Sequence, residues 1–228
     1  MTKRTYSQYC GLAYALDVVG ERWSLLIVRE LVPGPRRFKD LVEGLPGIST
    51  NLLTERLRLL EQTGVVEHNV LAPPAGSSVY GLTERGRGLQ PALLELGRWG
   101  SQFVPPEPGD NAVLRLGAYA LTPQTFFRPE RATDLDETIE WRAGGETLQI
   151  HIAHGRIGVT QAQTRTPDVI FESDVATYLA LLVRDISPAV ALSQQRVSVT
   201  SDPSALDRFV DLCGLPAPEG SAGTSHPA

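Results

Sequence analysis

Three prolines within four positions, Pro105-Pro106-Glu107-Pro108, stand near the middle of this 228-residue chain. Proline has no backbone N–H and a fixed φ, so neither a helix nor a central strand continues through such a run. The stretch from Val104 to Asp110 is therefore a linker or a sharp change of direction, and the chain reads as two halves. Their charges differ. Residues 1–104 carry 12 basic and 10 acidic side chains, net +2, and residues 105–228 carry 9 and 16, net −7. The total of −5 alone disfavours a nucleic-acid partner, because phosphate binding needs cations. The division removes that objection by placing the acidity almost wholly in the second half. From Pro216 onward there is no Leu, Ile, Val or aromatic residue, so residues 215–228 are expected to form a disordered tail.

Several function classes lack the residues they need. The longest uninterrupted apolar run, Tyr178 to Val183, has six residues, against the ~20 that span a bilayer. Met1 to Tyr6 lead into no apolar signal region. A cytoplasmic protein without a membrane partner is expected. Cys10 and Cys213 are too few for a disulfide framework or a zinc cluster. His151 and His154 have no Cys or carboxylate to complete a metal set. No phosphate loop, dinucleotide fingerprint or nucleophile elbow occurs. Neither a catalytic constellation, a metal site nor a cofactor is expected.

In the first half, Leu12, Leu16 and Val19 recur at helical spacing from about Tyr9 to Gly20. Trp23, Leu26, Ile27 and Leu31 line a second helix ended by Pro33, and Phe38, Leu41 and Val42 mark a short third. A fourth starts after Ser49, placed as its cap, and ends at Gly64. The period then becomes that of strands: Val65 to Leu71 and Ser78 to Leu82 flank a turn-rich segment, a β-hairpin. Thr83 caps a last helix carrying Leu89, Leu93, Leu96, Trp99 and Phe103, with Pro91 marking a kink or a fresh start. Three helices, a hairpin and a long closing helix describe a winged helix-turn-helix.

The fourth helix is the element that would read DNA. At about 100° per residue from Thr50, Leu53, Leu57 and Leu60 fall between about 280° and 340°, whereas Thr50, Asn51, Thr54 and Arg58 fall between about 0° and 100°. Hydroxyl, amide and guanidinium groups suit base edges and phosphates. Arg56 falls within the apolar arc and is expected to make a partly buried ion pair. Arg36, Arg37 and Lys39, just ahead of the turn, form a basic cluster suited to a phosphate.

Five separated motifs then occur in order: Tyr9-Cys10 with Gly20 to Leu31, Arg37 to Leu41, Gly47-Ile48-Ser49, Leu53 to Leu57 and Tyr80 to Gly86. This series resembles the HxlR family of bacterial regulators, related to MarR proteins, over about Tyr9 to Gly100. The resemblance implies a homodimer joined through the first and last helices, with the helix after Gly47 in the major groove. Position by position it makes Ser49, Thr50, Asn51, Thr54 and Arg58 the groove residues, and the hairpin around Pro73-Pro74-Ala75-Gly76 the wing. Cys10 stands where several members of the family place a redox-sensing cysteine. From the residues alone, a cysteine packed at a dimer interface is the favoured reading.

In the second half, Leu148, Ile150 and Ile152 alternate with Gln149 and His151 as a half-buried strand. Glycine turns join it to strands at Thr138–Arg142 and Arg156–Gln161, Val169 to Phe171 adds another, and Asp174, Pro188 and Pro203 open helices around a strand at Arg196–Thr200. This is an α+β layer. The stretches Pro167 to Leu182 and Ser187 to Pro203 resemble sterol carrier protein-like domains. That resemblance implies an apolar tunnel for a small lipophilic ligand, which Leu148, Ile150, Ile152, Phe171, Tyr178 and Leu182 would line. The same six residues also suit an ordinary core.

The expected fold class is thus α+β: an N-terminal winged helix-turn-helix over 1–104, a linker and connecting helix (Asn111 to Leu121) within 105–133, and a sterol carrier protein-like domain over 134–214. The expected function is a homodimeric transcriptional regulator on double-stranded DNA, modulated by a small apolar ligand. Two alternatives stay open: a redox-responsive regulator acting through Cys10, and a lipid-binding protein that uses the winged helix only to dimerise.

Overall fold

A computed structural model of the chain describes residues 5–70, 76–105 and 112–216. The wing tip at 71–75, most of the proline run and residues 217–228 of the expected tail lie outside them. The chain divides into two compact units, Met1–Leu121 with Val159–Gln163, and Thr122–Gly158 with Thr164–Ala228.

The first unit runs α1 (Gly11–Val19), α2 (Ser24–Leu31), α3 (Phe38–Gly44), α4 (Thr50–Gln62), β1 (Val66–Val70), β2 (Ser78–Leu82), α5 (Glu84–Arg87) and α6 (Gln90–Gly100). Local chemistry sets these limits. Ser49 Oγ accepts from the Leu52 N–H at 3.3 Å and starts α4, and Gly64 ends it at φ +69°. Thr83 Oγ1 accepts from Gly86 N at 3.0 Å to cap α5, and donates to the Gly64 carbonyl at 2.6 Å, tying both ends of the hairpin together. Pro91, in the first turn of α6, starts that helix afresh after α5. Arg36 and Tyr80 exchange both backbone bonds, Arg36 N–H to Tyr80 O at 2.9 Å and Tyr80 N–H to Arg36 O at 2.7 Å, adding a one-residue third strand beside β2. Ile27, Val28, Leu41, Leu53, Leu57 and Leu60 form a core that water does not reach.

The expected connecting helix at 111–121 does not form. Residues 112–115 have no regular structure, Leu116–Tyr119 make a single 3₁₀ turn, and α7 (Thr122–Thr125) is only one turn long. Gly117 weakens a helix there, and Pro123 has no N–H to bond back to Tyr119. Leu116 is instead fully buried within the first unit.

The rest of the chain forms β3 (Asp136–Ala143), β4 (Glu146–Ala153), β5 (Arg156–Thr160), β6 (Val169–Ser173), α8 (Val175–Leu182), α9 (Pro188–Ser193), β7 (Val197–Val199) and α10 (Ser204–Cys213), all in the second unit but for the last two residues of β5. The sheet order is β5-β4-β3-β6-β7. β3 runs antiparallel to β4 and parallel to β6, while β6 and β7 are antiparallel. Gly144 and Gly145, at φ +58° and +76°, make the two-residue hairpin turn that needs positive φ at both positions. Asp174 caps α8 by accepting from Thr177 N at 2.6 Å. Trp141 centres the core, its ring edge-on to Phe171 and Tyr178 at 4.9 Å and tilted against Phe209 at 5.2 Å.

The expected tunnel is absent at the six residues proposed to line it. Leu148, Ile150, Ile152, Phe171, Tyr178 and Leu182 each have 0% exposure. A side chain bordering a space wide enough for water would keep some accessible surface, so these residues fill a core, as close packing of aromatic and branched side chains favours.

Candidate nucleic-acid interface

The fourth helix divides as its sequence predicts. Leu53, Leu57 and Leu60 are buried, and Thr50, Asn51, Thr54 and Arg58 are exposed. The buried seam fixes the helix rigidly, so the exposed groups are presented from a stiff element. Thr54 donates its hydroxyl to the Thr50 carbonyl at 2.8 Å, leaving its oxygen lone pairs and methyl outward. Arg56 makes the expected ion pair: its side chain is 12% exposed, Nη2 meets Glu21 at 3.2 Å, Nη1 meets Glu55 at 3.0 Å, and Nε donates to the Arg22 carbonyl at 3.3 Å. This clamp ties α4 to the segment before α2 and removes Arg56 from the exposed set.

The basic cluster before α3 divides. Arg37 and Lys39 are exposed. The Arg37 backbone N–H donates to Asp40 at 3.1 Å, and Lys39 makes a solvated pair with Glu43 at 3.5 Å, worth little in water. Arg36, expected beside them, turns inward. Its Nε donates to the Glu30 carbonyl at 3.4 Å, and its Nη2 lies 4.0 Å from the buried Glu30 carboxylate, which also takes a 2.6 Å bond from Arg29. The cause is the backbone exchange with Tyr80, which holds Arg36 in a strand pointing back at α2. Sequence reading missed Glu30 itself. Its signal was an acidic residue three positions after Ile27 on the apolar face of α2, where burial requires partners.

The described part of the hairpin holds no Lys or Arg. His68 stacks on Tyr80 with ring centroids 4.4 Å apart and shares a short hydrogen bond with Ser78.

Beyond these groups, the first unit leaves much apolar surface uncovered. Leu12 and Leu16 on α1, and Leu96, Trp99 and Phe103 along α6 and the 3₁₀ turn after it, are all exposed. Trp99 and Phe103 pack edge-to-face on each other at 4.9 Å. No residue of α6 is buried. Cys10, just before α1, is exposed, and the backbone N–H groups of Ala13 and Leu12 lower its thiol pKa. Cys213 is buried, and desolvation pushes its thiol up to about 12.

Among the described residues no helix is long and apolar enough to cross a membrane, and no group of three His, Cys, Asp or Glu side chains could hold a metal ion.

Comparison with known proteins bears on the first unit. A family described as HxlR-like helix-turn-helix matches residues 18–108. The HTH-type transcriptional regulator YodB of Bacillus subtilis is 44% identical over 97 residues, which are 42% of this chain and 85% of that protein. An uncharacterized HTH-type transcriptional regulator of the same organism, YvaP, is 37% identical over 92 residues, covering 40% of this chain and 85% of its own length. A solved structure of YodB in reduced form aligns with a TM-score of 0.38 and 39% identity, over 44% of this chain and all of that one.

Proposed function

The chain belongs to the HxlR-like helix-turn-helix family, and from that premise we propose how it acts as a DNA-binding transcriptional regulator. The carrying observation is the exposed edge of α4, where Asn51, Thr54 and Arg58 project from a helix whose opposite edge is locked into the core. Neither Asn51 nor Arg58 has a hydrogen-bond or ion-pair partner within the described protein. They meet the requirements for direct readout, Arg toward guanine and Asn toward adenine, with Ser49, Thr50 and Thr54 toward the backbone. Arg37 and Lys39 supply phosphate contacts. A homodimer joined through α1 and α6 presents two such helices to half-sites about one helical turn apart. The exposed Leu12, Leu16, Trp99 and Phe103 are what such an interface would bury.

A gel-shift or anisotropy titration on the DNA upstream of the protein's own gene, repeated across salt concentrations, tests this reading. Specific binding lost in Arg58→Ala supports it. Absent binding, or binding indifferent to Arg58→Ala combined with Arg37→Ala, removes it.

The second unit's mixed sheet and covering helices suit the sterol carrier protein-like layer that its sequence resembles. We carry that likeness as architecture only, since the residues that would line a tunnel are packed solid. One observation favours a second regulatory reading. Cys10 is exposed, with a pKa held below that of an ordinary thiol, the condition under which thiolates react. Loss of an oxidant's effect on DNA binding in Cys10→Ser would favour it, and an unchanged response would exclude it.

A further inference from the structure

Arg22 is exposed, and among the described residues its guanidinium makes no hydrogen bond and no ion pair. It sits instead over the Trp23 ring, with the guanidinium carbon 5.4 Å from the ring centroid. We propose that Arg22 is a phosphate contact of the DNA-binding surface, held beside the reading helix by Trp23 and Arg56.

Three contacts fix where this guanidinium stands. Arg56, in the middle of α4, donates from Nε to the Arg22 carbonyl at 3.3 Å and grips Glu21 at 3.2 Å. The backbone of Arg22 is therefore tied to α4 itself. The second contact is the Trp23 ring beneath the guanidinium. The third joins that ring to the turn before α4, where its edge lies 3.9 Å from the place a β-carbon on Gly47 would take. The Ile48 N–H closes this turn on the Leu45 carbonyl at 3.1 Å, and Ser49 then caps α4. Trp23 reaches the turn from a left-handed backbone, φ +81°, rare for an aromatic residue. Arg22 is thus bracketed between the middle of the reading helix and the turn that starts it.

The position selects phosphate over a base. A helix about 10–12 Å across fills a major groove about 12 Å wide. A cation carried by a neighbouring segment then meets the phosphates along the wall of the groove, and the floor belongs to side chains of α4. Local pairing leaves the group free for that role. Glu21 and Glu55 both bond to Arg56, at 3.2 and 3.0 Å, and neither bonds to Arg22. Lying over an indole face engages the π side of the guanidinium and leaves its in-plane N–H donors outward, in the fork that suits phosphate oxygens. Trp23 also narrows the freedom of a long side chain before DNA arrives, which lowers the cost of ordering it on binding.

This assignment rests on the DNA-binding reading, and the test separates the two. Affinity is measured by anisotropy across a salt series for the full chain, Arg22→Gln and Arg22→Lys. Two duplexes are used, the DNA upstream of the protein's own gene and a scrambled sequence of equal composition. Arg22→Gln keeps the stem and removes the charge. It should weaken binding to both duplexes about fivefold per bound copy at about 0.1 M salt, and lower the slope of log affinity against log salt by about 0.9 per copy. The ratio between the duplexes should hold within about twofold, because phosphate contacts carry no base information. Arg22→Lys should recover most of the slope, which a purely structural role for the residue would not predict. A slope indifferent to Arg22→Gln, or one that falls equally in Arg22→Lys, overturns the contact. So does a loss confined to the upstream duplex, which would make Arg22 a base reader. A parent chain that binds neither duplex removes the regulator reading and this contact with it. Binding by the parent without a response at Arg22 removes the contact alone.

Discussion

Two amphipathic helices of nearly equal length, α6 with 11 residues and α10 with 10, meet opposite fates. In α10 six residues are buried, including Phe209 against Trp141. In α6 none is, and Trp99 stands 62% exposed. The contrast extends to the units that hold them. Of the 14 exposed large apolar side chains among the described residues, 12 lie in the first unit and only Val183 and Val190 in the second. The second unit consumes its apolar surface internally. The first keeps a share on display, as a surface meant for a partner does. An amphipathic helix therefore states that something covers it, and only the fold tells whether that something lies in the same chain.

The strongest way to break this comparison is to remove one large ring from each helix. Phe209→Ala should cost the second unit about 3–5 kcal/mol in denaturant unfolding and leave the oligomeric state alone. Trp99→Ala should do the reverse, weakening self-association by about 2 kcal/mol, roughly 30-fold, with single-chain stability within about 0.5 kcal/mol. Sedimentation and unfolding curves read the two effects, and equal unfolding losses would erase the distinction. Next comes Gly86→Ala. A β-carbon there would stand 2.1 Å from the Val65 carbonyl oxygen, so α5 must lift from the hairpin. The first unit should lose about 1–3 kcal/mol while the second unit's transition stays in place.

Within the first unit, Arg58→Ala should weaken specific DNA binding by about 1–3 kcal/mol, and Lys39→Ala should reduce the salt slope by about 1 with little change in specificity. Arg36→Ala should alter stability and leave that slope unchanged, since its guanidinium faces Glu30. The smallest effect separates the cysteines. A lowered pKa leaves more thiolate at a given pH, so alkylation of Cys10 should reach half its maximal rate at a lower pH than a free thiol does. Cys213 should stay unlabelled until the second unit unfolds, as mass spectrometry of iodoacetamide-treated protein will record.

Features of local chemistry were readable in the sequence. The Ser49 cap, the Gly64 stop, the restart at Pro91 and the inward turn of Arg56 each follow from spacing within one or two helical turns. What escaped depended on distant partners. Arg36 looked like Arg37 because the residue that captures it, Tyr80, lies 44 positions away and does so through its backbone. The six residues assigned to a tunnel are apolar whether they line a space or fill it, and periodicity cannot separate the two. The stretch from Asn111 to Leu121 has helical composition, yet within its described part only Leu116–Tyr119 turn, as a single 3₁₀ turn with Leu116 buried. Glu30 did carry a signal, an acidic group on the apolar face of α2, but its partners Arg29 and Arg36 emerge only once the chain folds.

The bare face of α6 has a consequence for how much of the protein must be present. Leu93 packs α6 against the core only in part, so under the proposed pairing of two copies the rest of that helix is covered on assembly, and assembly and folding are linked by mass action. The melting point of the first unit should climb as the protein is concentrated, and that of the second should stay level. Under that proposed pairing, dilution alone would act as a control: when copies are scarce the two reading heads would come apart, and occupancy of a two-part operator would fall with the square of the monomer rather than in proportion to it.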